Sequence, residues 1–328
     1  MSLSPVLMVR IICTAEGAVG ALLNTALLAA LFRTRTSGAV QVYRIPIYVS
    51  AIKGLELSVS LAAMNYVNIF RDGTFAIPLF GPIVPYLPRI ACDMIEQVGL
   101  VFTTLLMTIH PATSLLQWMA VSRAHWPTAR RVLIGFSFTI AWTLVIAFLV
   151  PAYVPTPQFH HELERIARDL YGLDNSTRIV MYGSTMRMTE LNNGRSLLTL
   201  VIFYALAPYA SSYALFAVIM ALIRRRLSSW GIVLSARTAR MQRDFFTMQM
   251  LQSCLPLCIL SVPGVLFTVG AVLQTRLDFF TLLLTYTLWL CPIVQAIVQH
   301  RFVRQSRVAP QEHSSTTTTR SVPIRAEA

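Results

Sequence analysis

Seven apolar runs constrain this chain more than anything else in it. They lie at about 11–32, 46–69, 91–117, 132–153, 197–222, 245–272 and 277–299. Each is near or above the ~20 residues that take a helix across ~30 Å of hydrocarbon. Lipid offers no hydrogen bonds, so a spanning run must satisfy its own backbone, and a helix does so. The predicted fold is an all-α membrane protein, a seven-transmembrane helix bundle. Composition agrees: 55% of the 328 residues are hydrophobic and 12% are charged, where soluble chains carry about 25% charged. Residues 78–88 are apolar too, but Pro78, Pro82, Pro85 and Pro88 forbid a helix and predict a loop. The odd number of runs and the lack of an internal repeat argue against a two-fold transporter.

The basic residues orient the bundle. With the N-terminus outside, segments 33–44, 118–131, 223–244 and 301–328 face the cytoplasm and hold 17 basic residues against 3 acidic. The outside segments hold 9 against 6, and 5 of those 9 fall in the long loop 154–196, where length weakens the rule. Positive charge collects on the cytoplasmic side, which predicts an outside N-terminus and a cytoplasmic C-terminus. Asn175, in Asn175-Ser176-Thr177, is then a glycosylation acceptor on the outer side. The net charge of +13 reads as this topology, with attraction to anionic lipid, and not as nucleic-acid binding. Lys53 is the only lysine, which is unlike a nucleic-acid tail. Residues 1–304 form the seven-span domain. Residues 305–328, with Ser314, Ser315 and Thr316 to Thr319, have nothing to bury and predict a disordered cytoplasmic tail.

The sixth run stands on a basic foot that starts at Arg224, Arg225 and Arg226 and continues through Arg240 and Arg243. Pro256 and Pro263 interrupt the run, and each removes a helix hydrogen bond, so both are hinge candidates. Charge within a span costs about 2.5–3.5 kcal/mol and needs a partner or a wet cavity. Asp93, Glu96 and Gln97 share one face of the third run, continued by Leu100, Thr104 and Met107. That face either walls a small-molecule cavity open to the outside or sits in interfacial water. Lys53 and Glu56, three apart, can form an ion pair. Asn24 is placed to hydrogen-bond between helices, and Gln252 is a further structural polar residue. Glu16 faces either the cavity or a neighbouring helix. Asn65, Asn68, Tyr204, Tyr286 and Trp289 are lining candidates whose other reading is simple packing or an interface position.

The five cysteines, Cys13, Cys92, Cys254, Cys258 and Cys291, lie in or beside apolar runs and read as buried free thiols. Neither they nor His160-His161-Glu162 have metal-ligand spacing. With no phosphate loop or nucleophile elbow in the chain, an enzyme is disfavoured and no metal or cofactor is expected. A transporter or ion-channel subunit, with Lys53, Glu56 and Glu96 as an ion path, is the rival reading.

Further motifs narrow the class. Met241-Gln242, Leu251-Gln252, Leu255-Pro256 and Val262-Pro263 resemble the sixth span of nematode serpentine chemoreceptors of the Str superfamily. Cys291-Pro292-Ile293-Val294-Gln295, followed by His300-Arg301-Phe302-Val303-Arg304, is similar to their seventh span and its basic end. Gly20, Leu22-Leu23-Asn24 and Tyr43-Arg44 fit the first two spans, and the class d branch looks nearest. The chain departs from the family at the inner end of the third span. There Ser114-Leu115-Leu116-Gln117-Trp118-Met119 replaces an aromatic–Tyr-Arg-Tyr stretch, with Arg123 further on. Cys92 stands where rhodopsin-type receptors anchor a disulfide, but loop 154–196 has no cysteine. The resemblance implies a G-protein-coupled chemoreceptor for a small-molecule ligand, in the plasma membrane and cilium of a sensory neuron. Its heterotrimeric G protein would meet Arg123, Arg224, Arg225, Arg226, Arg240 and Arg243.

Overall fold

A computed structural model describes residues 5–33, 38–122, 125–149, 151, 154–174, 177–185, 206–229, 236–273 and 278–308. In chain order the elements are α1 (Pro5–Arg33), α2 (Gly38–Met64), β1 (Ile69–Arg71), β2 (Thr74–Leu79), α3 (Arg89–Ser122) and α4 (Thr128–Leu149). They continue with α5 (Pro157–Tyr171), β3 (Val180–Thr185), α6 (Ala207–Ser229), α7 (Ala236–Leu273) and α8 (Asp278–Val308). Among the described residues, α1, α2, α3, α4 and α6 are long and apolar enough to cross a membrane. The sixth and seventh runs lie in α7 and α8, which are 38 and 31 residues long. The mostly helical architecture is that of a seven-span bundle, with α5 lying outside the count.

Close approach at small residues sets the α1–α2 seam. A Cβ on Gly17 would come within 2.6 Å of the Ser58 carbonyl, and one on Gly20 within 2.3 Å of the Ser58 hydroxyl. A Cβ on Gly54 would lie 2.5 Å from Asn24 Oδ1. Such contacts let two backbones approach where lipid supplies no hydrophobic drive. Asn24 is buried here, yet its amide donates to Gly20 O (2.8 Å) in its own helix. It therefore fills the seam rather than bridging helices as expected. Around the ring, α8 packs on α1 and α2, α3 packs on α2, α4 and α6, and α7 packs on α8. Thr139 donates to Thr108 O (2.8 Å), and Trp142 Nε1 donates to Ser211 (3.1 Å), which fastens α4 to α3 and α6.

One end of the bundle carries a cap built from segments that the sequence pattern leaves as loops. The second run is predicted to reach residue 69, but α2 stops at Met64. Asn65 takes a left-handed φ of 49°, and its amide donates back to Leu61 O (3.1 Å) and Ala62 O (3.0 Å). The chain then forms β1 and β2, and β3 completes an antiparallel sheet in the order β1-β2-β3. Pro78, expected in a loop, is a β2 residue opposite Met181, and only Val84–Tyr86 is helical, as a single 3-10 turn. Loop 154–196 contributes α5 as well as β3. Thr156 accepts from Phe159 N (3.3 Å) at the start of α5, Pro157 opens the helix, and Gly172 ends it at φ 59°. Phe159, Leu163, Ala167 and Tyr171 repeat every fourth residue and are buried against the sheet.

The opposite end is basic, with Arg224, Arg243, Arg301 and Arg304 exposed. Arg44 bonds Leu31 O and reaches Tyr48 Oη (3.2 Å), closing the end of α1. Phe245 and Phe302 meet edge to face at 5.5 Å between centroids, which ties α7 to α8. Helix α8 runs on to Val308, so residues 305–308 of the expected tail are helical, and 309–328 lie outside the described residues.

Candidate functional site

Two buried polar layers cross the bundle, and α2 supplies residues to both. Toward the cap lies an acidic layer. Glu96 on α3 is 2% exposed, and its Oε2 has no hydrogen-bond partner among the described residues. Tyr66 follows α2, stacks on Trp289 of α8 at 5.6 Å, and lies within electrostatic reach of Glu56 and Glu96. Glu56 accepts from Ser60 Oγ (2.9 Å) through one oxygen while the other is unpartnered. Glu16 Oε2, Tyr66 Oη, Tyr286 Oη and Trp289 Nε1 are likewise buried and unpartnered among these residues. A buried polar atom left unpaired costs about 1–3 kcal/mol, more for a charged one, so a concentration of them marks a place built for something else.

The expected lining residues divide. Asp93 is held by the protein: Arg89 Nε donates to it at 2.9 Å and Tyr182 Oη at 2.6 Å. Arg89 also caps the Tyr182 ring, at 5.1 Å from its centroid. Burial and this bond to Asp93 push the Tyr182 hydroxyl well above the ordinary range. Asn68 bonds Thr285 through backbone (3.0 Å) and side chain (3.1 Å), tying β1 to α8. Asn65 is spent on ending α2. These three belong to the frame, whereas Glu96 faces inward and Gln97 is half-buried. Tyr204, Asn175 and Arg123 lie outside the described residues.

The second layer lies toward the basic end and is rich in amides. Lys53 is 1% exposed and donates to Gln295 Oε1 at 2.9 Å. Glu56 pairs with Ser60, so the expected Lys53–Glu56 ion pair does not form: one turn of α2 separates them into different layers. Gln295, the partner of Lys53, also walls a small, partly open cavity, with Gln249, Gln252, Gln299, His110 and Ser50 among its other walls.

The α7 backbone between these layers passes through Pro256 and Pro263 as continuous helix. Pro256 is buried, and a proline leaves the carbonyl four residues earlier, here that of Gln252, without its helical donor. Two tyrosines of α6 brace this turn: Tyr213 Oη donates to Ser253 O (3.1 Å) and Tyr209 Oη to Leu257 O (3.4 Å). The side chains of Arg240 and Pro263 lie outside the description. Cys13, Cys92 and Cys291 are buried, but Cys254 and Cys258 are exposed on α7 and do not fit the expectation of buried thiols. All five are free.

A seven-helix bundle with a capped end, a basic end and buried polar layers between them defines the class of seven-span membrane receptors. The family model of serpentine type 7TM GPCR chemoreceptors, Str, matches residues 116–309. That is more than half of the chain, and the chain belongs to this family of nematode chemoreceptors. No curated protein matches it. The family motifs have structural roles: Gln295 receives Lys53, His300 Nε2 lies 3.0 Å from Leu23 O on α1, and Phe302 and Val303 are buried while Arg301 and Arg304 face out.

Proposed function

We propose that this multi-pass chemoreceptor takes its cue from the capped side and signals to a heterotrimeric G protein at its basic end. On this reading the N-terminus is outside and the C-terminus cytoplasmic, in the plasma membrane of a sensory neuron and its cilium. Residues 1–304 are the receptor domain. The observation that carries the ligand assignment is Glu96, almost fully buried, with a carboxyl oxygen that has no partner among the described residues, beside the Tyr66–Trp289 stack. Such a surround suits a small molecule with an apolar body and a hydrogen-bond donor, an amine above all. Ligand binding shifts the receptor only by its difference in affinity for two conformers. The turn at Pro256, where Tyr209 and Tyr213 hold two carbonyls, is where α7 would bend.

The test is a ligand screen in cells that express a promiscuous G protein. Glu96→Gln should weaken an amine agonist about 10–100-fold, the worth of a hydrogen bond to a charged group, with the maximal response kept. Joint reversal of Arg240 and Arg243 to Glu should abolish signalling at normal surface expression. Intact signalling in that double variant would remove the coupling role. Ligand-driven current without any G protein would favour the channel reading instead.

A further inference from the structure

The amide-rich layer contains a charge without a counter-charge. Lys53 is fully enclosed in α2, and no carboxylate of the described residues forms an ion pair with it. Its one hydrogen bond goes to a neutral amide oxygen, Gln295 Oε1. The titratable groups within its electrostatic reach are His110 and Cys291, neither of which brings a fixed negative charge. Glu56, one turn away on α2, is engaged with Ser60. A buried cation in a membrane needs a compensating anion or water.

Behind Gln295, the partner of this cation, the cavity walls offer donors with no partner among the described residues. Nε2 of Gln249, Gln252 and Gln295 and Nε2 of His110 are buried and unpartnered among the described residues. Gln249, 2% exposed, has neither amide atom engaged, and Gln299 Oε1 is free as well. The glutamines come from two helices, α7 and α8, and His110 comes from α3. Amide and imidazole N–H groups in a cavity one glutamine away from an ammonium form the donor set of a small inorganic anion. The free amide oxygens can hold water beside it.

We infer that this cavity is a binding site for a monovalent inorganic anion of the halide class, held by the Lys53 charge and the amide N–H groups of Gln249, Gln252 and Gln295. The anion would cross-link α2, α7 and α8 below the proline turn. It would favour whichever conformer keeps the three helices together.

The experiment uses the full-length receptor purified into lipid nanodiscs, with chloride exchanged for gluconate at constant ionic strength. Thermal unfolding should show a saturable rise in Tm on the order of 2–4 °C with chloride. Bromide should replace chloride. Lys53→Met should abolish the rise; should that variant fail to fold, Gln249→Leu, which removes an amide with no protein partner, should weaken the apparent chloride affinity at least about tenfold, one lost hydrogen bond to a charge. A Tm independent of chloride would mean that the cavity holds water alone and would overturn the inference. An unchanged chloride effect in either folded variant would overturn it too, since the ion would then act at surface arginines.

Discussion

The two buried layers differ in sign and in how they are held. The layer near the cap has three carboxyl groups, Glu16, Glu56 and Glu96, with no basic partner among the described residues. The layer near the basic end has one ammonium, Lys53, amid neutral amides. Both hang from the same stretch of α2, where Lys53 and Glu56 are one turn apart and could have neutralised each other. They do not, because Ser60 engages Glu56 from the same helix and Gln295 takes Lys53 from α8. The contrast with Asp93 is as instructive. Three residues from Glu96, and closer to the cap, it is engaged at Oδ1 by both Arg89 and Tyr182. Pairing ties Asp93 into the frame, and the unpaired carboxyl and amide groups gather in the two layers.

The comparison breaks most severely if α2 is displaced, since both layers move with it. Gly17→Leu forces a side chain into the Ser58 carbonyl and Ala62, and should cost on the order of 3 kcal/mol. Loss of surface expression would report it; normal expression and ligand response would mean that the α1–α2 seam tolerates separation. A sharper test sets the two neighbouring acids against each other. Asp93→Asn, which weakens the Arg89 pair and the Tyr182 bond, should destabilise the cap by about 1–2 kcal/mol. Glu96→Gln should leave thermal stability unchanged or raised, because the carboxyl it replaces has no partner among the described residues to lose. Reversed effects would exchange the roles assigned to the two residues. Tyr213→Phe removes the bond to Ser253 O and should lower the Tm in nanodiscs by the equivalent of about 1 kcal/mol.

The smallest effect concerns pH at the cap. His160 Nε2 accepts the Met181 N–H at 3.3 Å, which requires a neutral ring. Burial, and secondarily the Arg89 charge, hold its pKa below the ordinary 6.5, against an opposing pull from Glu164. The unfolded state therefore binds a proton more readily, and stability falls as pH drops below 6.5 toward the lowered folded value. The Glu164 carboxylate beside the ring opposes the shift and keeps this effect modest. His160→Gln should flatten the dependence of Tm on pH between about 7 and 5, and a slope unchanged by that substitution would place the titrating group elsewhere.

Much of the bundle was legible because lipid imposes length and apolarity on each span, and the seven runs therefore locate α1 to α4 and α6 to α8. Helix ends were less so. The stop at Asn65 depends on a left-handed backbone, which the apolar sequence on both sides conceals. The cap was missed because its strands are short and Pro78 argues against one, although Thr156-Pro157 and Gly172 bracket α5 with ordinary capping signals and its apolar residues recur every fourth position. Of the candidate site residues, Glu96, Tyr286 and Trp289 fall in one layer. Asn68 could not be separated from them in sequence, since its partner Thr285 lies 217 residues away; for Asp93 the Arg89 partner is only four residues earlier, but Tyr182 lies 89 residues away. The amide layer was invisible for the same reason: single glutamines spaced along two spans reveal a shared cavity only once the helices are packed.

The assignment of the acidic layer to the ligand and the basic end to the G protein rests on which end faces out. Epitope tags at the two termini of the full-length chain, probed on intact and on permeabilised cells, measure this directly. An N-terminal tag that stains intact cells, with a C-terminal tag that stains only after permeabilisation, is the predicted result. A cytoplasmic N-terminus, or both termini on one side, would contradict the account.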